Sequence, residues 1–123
     1  MAARPRRRRL SRSGEFDRVY RDGSSNATRF LVLYAFPRQD DGERDVRLGV
    51  SASRKIGGAV ERNRVKRALR EAFWGLTGLP EKYDFVLVAR PELSELLERE
   101  GTAGAAKSIE EALAGASIGD RST

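Results

Sequence analysis

Three stretches of the chain are rich in apolar, β-branched and aromatic residues, and this composition with period-two alternation predicts strands. In residues 29–36 both faces of the predicted strand are apolar, so we expect other parts of the protein to pack on both of them. Residues 46–51 alternate apolar side chains with small or polar ones, and residues 83–89 are nearly all apolar, as in a buried strand. The Asp41-Gly42 pair lies between the first two strands and favours a hairpin that joins them.

Apolar residues three or four positions apart in the other segments predict helices. A first helix carries Phe16, Val19 and Tyr20 on one face, and Gly23 ends it. Further helices are predicted over residues 59–74, 91–98 and 105–116, with a glycine joint between the last two. The resulting order αββαβα predicts an α/β (α+β) two-layer sandwich, in which helices pack on a small sheet.

The length of 123 residues suggests one domain. We expect it to cover residues 11–116, with a flexible basic arm over 1–10 and a flexible tail over 117–123. In the arm, closely spaced arginines repel one another and little apolar surface can be buried.

The net charge of +6 is unevenly distributed along the chain. Residues 1–12 contain six arginines and no acid, and residues 54–70 contain seven basic residues and one acid. The rest of the chain is therefore acidic on balance. Two concentrated basic blocks favour binding to a polyanion over a uniformly basic, solvated surface.

One side of the predicted long helix carries most of the second basic block. A helical wheel at 100° per residue places Val65, Leu69 and Phe73 in a compact apolar stripe. The opposite, broad face carries Arg62, Asn63, Arg64, Lys66, Arg67 and Arg70. Like charges at i,i+4 cost a few tenths of a kcal/mol per pair. A bound polyanion would therefore lower the electrostatic free energy of this face. Arginine and asparagine also suit phosphates, bases and 2′-hydroxyl groups, which points to RNA.

Aromatic residues lie on one predicted helix and one predicted strand. Phe16 and Tyr20 share a helix face. The strand face comprises Phe30, Val32, Tyr34 and Phe36. If the two faces oppose each other, they form a groove in which bases of single-stranded RNA could stack. Plain core packing is the alternative, although the tyrosine hydroxyls favour a partly wet cleft.

The side-chain inventory excludes several kinds of active site. The chain has no Cys and no His, so it offers no thiolate and no imidazole base. Asp40, Asp41, Glu43 and Asp45 form an acidic cluster that we interpret as a solvated turn rather than a metal site. The longest apolar run, Phe30–Phe36, is far shorter than the ~20 residues of a membrane span. No apolar segment follows the N-terminal arginines, so we expect no signal peptide. We therefore expect a cytoplasmic protein.

The run from Leu48 to Phe73 resembles the signature of the bacterial ribonuclease P protein family. Its centre is Arg62-Asn63-Arg64, followed by Val65-Lys66-Arg67 and Arg70. The similarity extends to the helix with Phe16 and Tyr20, to the strand over 30–34, and to the last strand and its exit over 83–91.

This resemblance implies a ribosomal-protein-like fold with a left-handed βαβ crossover around the long helix. It implies a large catalytic RNA as partner, which uses bound Mg²⁺ to hydrolyse one phosphodiester of precursor tRNA and release the 5′ leader. The protein would bind the leader and orient the substrate without supplying catalytic residues. Mg²⁺ would be bound mainly by the RNA and substrate, and one protein would join each RNA.

The resemblance also assigns residues to two RNA-binding surfaces. Those expected to face the catalytic RNA are Arg62, Asn63, Arg64, Lys66, Arg67 and Arg70, extended by Ser51, Arg54 and Lys55. Those expected to line the leader cleft are Phe16, Tyr20, Phe30, Val32, Tyr34 and Phe36.

Two other classes of function remain open at the level of sequence. A ribosome-associated or general RNA-binding protein would share the basic helix but would need no aromatic cleft. A protein-only, metal-dependent nuclease would use the acidic cluster and would cleave RNA by itself.

Overall fold

The computed structural model describes residues 7–10, 13–39 and 45–116. Its elements are β1 (Arg7–Arg9), α1 (Ser13–Asp22), β2 (Ser24–Ala27), β3 (Leu31–Pro37), β4 (Val46–Ala52), a 3-10 turn (Arg54–Ile56), α2 (Ala59–Trp74), β5 (Tyr83–Ala89) and α3 (Glu92–Gly115). The α/β class and the predicted strands and helices are confirmed. β1 and β2 are additional strands, and neither has an apolar pattern of its own because both lie at sheet edges.

The five strands form one sheet in the order β1-β4-β5-β3-β2. β5 pairs parallel with β4 and antiparallel with β3. The predicted hairpin between β3 and β4 is therefore wrong, because β5 lies between these two strands. The most apolar strand takes the centre of the sheet, where both of its faces are covered. Asp41 and Gly42 lie outside the described residues.

The sheet carries helices on both faces. Residues Leu33, Leu48 and Phe85 point towards α2 and α3 and belong to the main core. On the other face, Val19 of α1 packs with Val86 of β5 and with Leu10 in a smaller core. The period-two alternation of β3, β4 and β5 thus supplies two different cores from the same strands.

The crossover from β4 through α2 to β5 is left-handed, as the family resemblance implies. Leu48 directs its side chain into the core beneath α2, and its carbonyl oxygen accepts a hydrogen bond from the Leu10 N–H at 3.0 Å. Viewed from α2 with β4 running upward, an L-residue whose side chain faces the viewer directs its carbonyl to the right. Thus β1 lies to the right of β4 and β5 to the left. The chain passes in front of the sheet and returns on the left, against the usual right-handed rule.

The N-terminal arm differs from the prediction at its last residues. Arg7–Arg9 pair parallel with β4, and Leu10 is only 3% exposed. The prediction of flexibility is therefore wrong for residues 7–10. The edge of β4 provides backbone partners that the sequence of the arm alone does not reveal, and the smaller core buries Leu10. Residues 1–6 and the predicted tail over 117–123 lie outside the described residues.

The predicted joint between the last two helices is present at Gly101, where φ is 65° and ψ is −158°. Helical structure continues directly on both sides of this residue, so α3 is longer than the two predicted segments together. No helix within the described ranges is both long and apolar enough to cross a membrane.

Candidate RNA-binding surfaces

The basic residues of α2 lie together on the side of the helix that faces away from the sheet. Val65, Leu69 and Phe73 are buried in the main core, as the wheel predicts. The opposite side carries the exposed residues Asn63, Arg64 and Arg67 and the half-buried residues Arg62, Lys66 and Arg70. We call these six residues the α2 surface.

Two arginines of the α2 surface have defined partners. Arg62 Nη1 donates a hydrogen bond to the Gly57 carbonyl oxygen at 2.9 Å and so closes the turn before the helix. Arg64 forms a two-point ion pair with Glu61, at 2.9 Å and 2.7 Å, and Ser94 Oγ donates to the same carboxylate at 3.0 Å. These hydrogen bonds, from Arg64 first and then Ser94, lower the pKa of Glu61. Glu61 therefore partly neutralises Arg64.

The 3-10 turn Arg54–Ile56 adds cations at the start of α2. Arg54 and Lys55 are both exposed, and Ser53 Oγ accepts a hydrogen bond from the Lys55 N–H at 3.3 Å. Both cations therefore lie next to the α2 surface, as expected. Ser51 does not: it lies on the opposite face of the sheet, where its hydroxyl is close enough to that of Tyr20 to affect the pKa of the tyrosine. The prediction for Ser51 overlooked the alternation of β4, which turns this residue away from Val50 and Ala52.

A cleft between α1 and β3 contains four of the six predicted leader-cleft residues. Phe16 and Tyr20 of α1 lie above the face of β3 that carries Val32 and Tyr34, and we call this the aromatic cleft. The Tyr20 ring contacts the Tyr34 ring edge-on at 4.9 Å between centroids, and the Phe16 and Tyr20 centroids are 6.3 Å apart.

Gly49 makes room for one wall of the aromatic cleft. A Cβ atom at Gly49 would lie 2.4 Å from Phe16 Cζ, so the ring rests directly on the backbone of β4. Tyr20 remains 39% exposed. Burial, and then the neighbouring Tyr34, raises the pKa of Tyr20, so its hydroxyl keeps its proton at neutral pH and can donate a hydrogen bond.

The other two predicted cleft residues differ in position. Phe36 lies on the same face of β3 and, like Phe16 and Tyr34, packs against the smaller core, with the Arg18 guanidinium 4.9 Å from its ring centre. Phe30 packs against the main core on the other face, so its assignment to the cleft is wrong. The alternation does not extend to Phe30 because β3 begins at Leu31, after a turn in which Thr28 Oγ1 accepts the Phe30 N–H at 3.1 Å.

Sequence reasoning missed a buried ionic network on the α1 side of the sheet. Asp84 of β5 is fully buried. Its Oδ1 accepts hydrogen bonds from Arg38 and Arg47, each at 2.7 Å. Its Oδ2 accepts from Arg47 at 2.8 Å and from Arg18 of α1 at 3.1 Å. The signal available in the sequence was a single aspartate within an otherwise apolar strand, since such a charge needs partners when buried.

This network determines the charge state of Asp84 and ties α1 to the sheet. Burial opposes ionisation of Asp84, but the hydrogen bonds from Arg47 and Arg38 outweigh it and lower its pKa. Arg47 also donates to Glu15 of α1 at 2.9 Å. Through Arg18 and Glu15, α1 is therefore held at a defined position over β5 and β4.

Asp45 differs from the predicted solvated acidic turn. It is buried and forms an ion pair with Arg8 at 2.9 Å, and its carbonyl oxygen accepts a hydrogen bond from Arg38 at 2.9 Å. Asp40, Asp41 and Glu43 lie outside the described residues. Across the part of the chain that the structure describes, no three acidic residues are grouped as a metal ion would require.

The fold and these surfaces define a basic α/β protein with a cationic helix on one side of a small sheet and an aromatic cleft on the other. The family model for ribonuclease P matches residues 4–113, and the chain belongs to the family of ribonuclease P protein components. The "Ribonuclease P protein component" of Shouchella clausii is 42% identical over 93 residues, which cover 75% of each chain. That of Caldanaerobacter subterraneus subsp. tengcongensis is 46% identical over 88 residues, 71% of this chain and 73% of its own.

Solved structures with the same fold come from the same family. The RNase P protein of Staphylococcus aureus superposes with a TM-score of 0.75 at 31% identity, covering 91% of this chain and 97% of its own. That of Thermotoga maritima gives a TM-score of 0.71 at 30% identity, covering 84% and 92%. These similarities extend over the sheet and the helices that carry both candidate surfaces.

Proposed function

We propose that this chain binds the catalytic RNA of ribonuclease P through the α2 surface and the 5′ leader of precursor tRNA through the aromatic cleft. The observation that supports this most directly is the placement of the two surfaces on opposite faces of one sheet. Two RNA strands can therefore be bound at the same time without competing for the same side chains. One protein would serve one catalytic RNA.

The α2 surface suits a structured, highly charged RNA. Among residues 7–10, 13–39 and 45–116, no carboxylate forms an ion pair with Lys66 or Arg67, and Asn63 beside them is exposed. Phosphates would supply the missing counter-charge, and the Asn63 amide could reach a base edge or a 2′-hydroxyl. The exposed cations Arg54 and Lys55 lengthen this surface at the start of the helix.

The aromatic cleft suits a single strand. Its rings offer faces and edges on which unpaired bases can stack, and such stacking tolerates different sequences. The Tyr20 and Ser51 hydroxyls add hydrogen-bonding groups at the same place. A leader of variable sequence is the kind of ligand that this combination would hold.

The chemistry of hydrolysis is assigned to the RNA. The chain has neither His nor Cys, and the buried carboxylates Asp84 and Asp45 are committed to arginines. In the proposed complex, Mg²⁺ is bound by the RNA and the substrate. The chain's contribution is to neutralise phosphates and to hold the leader.

The leader assignment predicts a selective defect in Tyr34→Ala and Phe16→Ala. Each change should weaken holoenzyme binding of leader-bearing precursor tRNA by about 1–3 kcal/mol, the value of one stacked base. Binding of leader-less tRNA should not change. The measurement is a pair of equilibrium titrations per variant, after circular dichroism confirms the fold. Phe30→Ala is the matched control, because this aromatic residue lies outside the cleft. Its substitution should leave the difference in affinity between leader-bearing and leader-less tRNA unchanged.

The α2 assignment predicts that Arg67→Ala weakens binding to the catalytic RNA and reduces the slope of log K against log salt by about 0.7–0.9. Arg64→Ala should have a smaller effect, because Glu61 already pairs with this arginine. Arg99→Ala, on the exposed side of α3, removes the same charge and should leave the slope unchanged.

The outcomes also separate the alternative functions. If the leader makes no difference to affinity in the unmodified holoenzyme, a general RNA-binding role replaces the proposal. If the protein alone cleaves RNA in Mg²⁺, a protein nuclease replaces it. Substitution of Asp45 cannot be used to test the protein-nuclease alternative, because a change at this residue would disturb the fold.

A further inference from the structure

A groove runs along the edge of the sheet between β1 and the C-terminal end of α2. The register pairs Arg7 with Val46 and Arg9 with Leu48, so both arginines point to the α2 side of the sheet. Arg7 Nη2 donates to the Trp74 carbonyl oxygen at 2.7 Å, and its guanidinium lies 5.4 Å from the centre of the Trp74 ring. We call this the edge groove.

Arg9 meets Arg70 of α2 in the edge groove. The two line a cleft of about 190 Å³ together with Arg7, Arg8, Leu48 and Trp74. At about 30 Å³ per water, this space admits several waters or one phosphate group. In the described ranges, neither Arg9 nor Arg70 forms an ion pair with a carboxylate, and Glu71 lines only the adjoining part of the groove.

This pair of arginines is unfavourable in the free protein. Burial, and then the charge of Arg9, lowers the pKa of Arg70. Two guanidinium groups that share a partly desolvated cleft repel each other more strongly than they would in water. An anion between them would attract both guanidinium groups, so the net electrostatic energy of the three groups would be favourable.

The edge groove is continuous with the α2 surface. Arg62, Lys66 and Arg70 are spaced by four residues, so they form a half-buried row along one side of the helix. Arg9 extends that row beyond the helix to the sheet edge. The first basic block of the sequence therefore joins the second one in space.

We propose that Arg9 and Arg70 hold one backbone phosphate of the catalytic RNA in the edge groove, with Trp74 as its wall. The identity of the RNA rests on the function proposed above. The continuity of the row with the α2 surface assigns the phosphate to that RNA rather than to precursor tRNA, whose leader is assigned to the opposite face of the sheet.

The test is a double-mutant cycle on binding of the catalytic RNA at several salt concentrations. If one phosphate is shared, the Arg9→Ala/Arg70→Ala double variant should lose about 0.7–0.9 of the log–log slope in total. A loss of twice that value would mean two separate phosphates, and no loss would mean no site; either result overturns the proposal. Arg99→Ala is the matched single-charge control.

Two further readouts distinguish binding from a structural role. In chloride buffer without phosphate, each single variant should melt at or above the temperature of the unmodified protein, because repulsion is relieved; a lower melting temperature would favour a structural role. Trp74 is the only tryptophan of the chain, so its fluorescence should respond to inorganic phosphate in the unmodified protein and not in the double variant. No response in the unmodified protein would contradict the site.

The same set of variants separates this proposal from the proposed function. If unmodified protein fails to bind the catalytic RNA, the proposed function fails. If it binds, and Arg67→Ala weakens it while the double variant does not, only the edge groove is wrong. A defect confined to binding of precursor tRNA by the assembled holoenzyme would assign the phosphate to the substrate and overturn the choice of RNA.

Discussion

At the scale of single residues, Asp84 is the most heavily bonded ionisable group described above. Arg18, Arg38 and Arg47 all donate to it, and the Arg38 side chain is itself only 2% exposed. A buried carboxylate of this kind adds little net stability over an apolar replacement, yet removing it leaves buried cations without their partner. Its main effect is to specify where α1 sits.

Asp84→Asn should lower the free energy of unfolding at pH 7 by about 3–5 kcal/mol, the usual cost of breaking a buried ion pair. Because the pKa of Asp84 is lowered on folding, its contribution is complete above the ordinary value of 3.8 and is lost as pH falls through the folded value. Urea unfolding at pH 7 and at several pH values below 5 measures both effects. The variant should show a weaker loss of stability in acid than the unmodified protein.

Asp22→Asn is the matched control for that experiment. Asp22 is exposed, and its ion-pair partner among the described residues is its neighbour Arg21, at 3.4 Å. Its substitution should change stability by less than about 1 kcal/mol. Equal effects of the two substitutions would contradict the role given to the Asp84 network.

At the scale of elements, the aromatic cleft depends on how closely α1 approaches the sheet. The Phe16 ring rests on the bare backbone of Gly49, while Arg18 and Glu15 tie the helix to β5 and β4. The distance between the Tyr20 and Tyr34 rings follows from these contacts. A change at Gly49 should therefore alter the cleft although this residue carries no side chain.

Gly49→Ala should destabilise the protein by about 1–3 kcal/mol through overpacking against Phe16. It should also weaken binding of leader-bearing tRNA more than binding of the catalytic RNA, because the displaced ring belongs to the cleft. Adding Phe16→Leu should recover stability without recovering leader affinity. Gly14→Ala, also a glycine-to-alanine change, meets nothing within 4 Å on α1 and should be neutral or slightly stabilising. Loss of both RNA affinities in equal measure would contradict this account.

At the scale of the whole molecule, much of the positive charge collects on one side. The α2 surface and the edge groove bring cations from residues 7–9 and 62–70 together, although more than fifty residues separate these segments in sequence. In the described ranges, the carboxylates near these cations include Glu61, which pairs with Arg64, and Glu71, which lines the adjoining part of the groove. The free protein therefore carries an electrostatic cost that a bound polyanion removes.

The melting temperature should accordingly rise in millimolar sulfate or phosphate relative to chloride at matched ionic strength. A ligand that binds only the folded state stabilises it by RT ln(1 + [L]/Kd), or about 2.7 kcal/mol at 100 times Kd. Thermal unfolding followed by circular dichroism gives the comparison. Identical melting in the two salts would show that charge crowding has no thermodynamic consequence.

The local pattern of apolar and polar residues was sufficient to predict the structure where a residue's own sequence neighbours determine it. The bounds of α2 match the prediction of 59–74, and the rings of Phe16, Tyr20 and Tyr34 come together as their periodicity indicates, with Val32 on the same face of β3. Pairing between distant segments was not predictable in this way. β1 exists because the edge of β4 is free, and Asp84 is tolerated because arginines from three other segments reach it. Phe30 was misplaced because one turn at Thr28 interrupts the alternation.

The central position of β5 also sets the time at which the chain can fold during its synthesis. β3 and β4 leave the ribosome before β5, and each needs β5 as its inner neighbour in the sheet. A nascent chain that ends before Tyr83 therefore carries two apolar strands with unpaired edges, a form prone to aggregate. The two halves of the sheet can be joined only after residues 83–89 have emerged. About two-thirds of the protein is therefore synthesised before this seven-residue strand can complete the sheet.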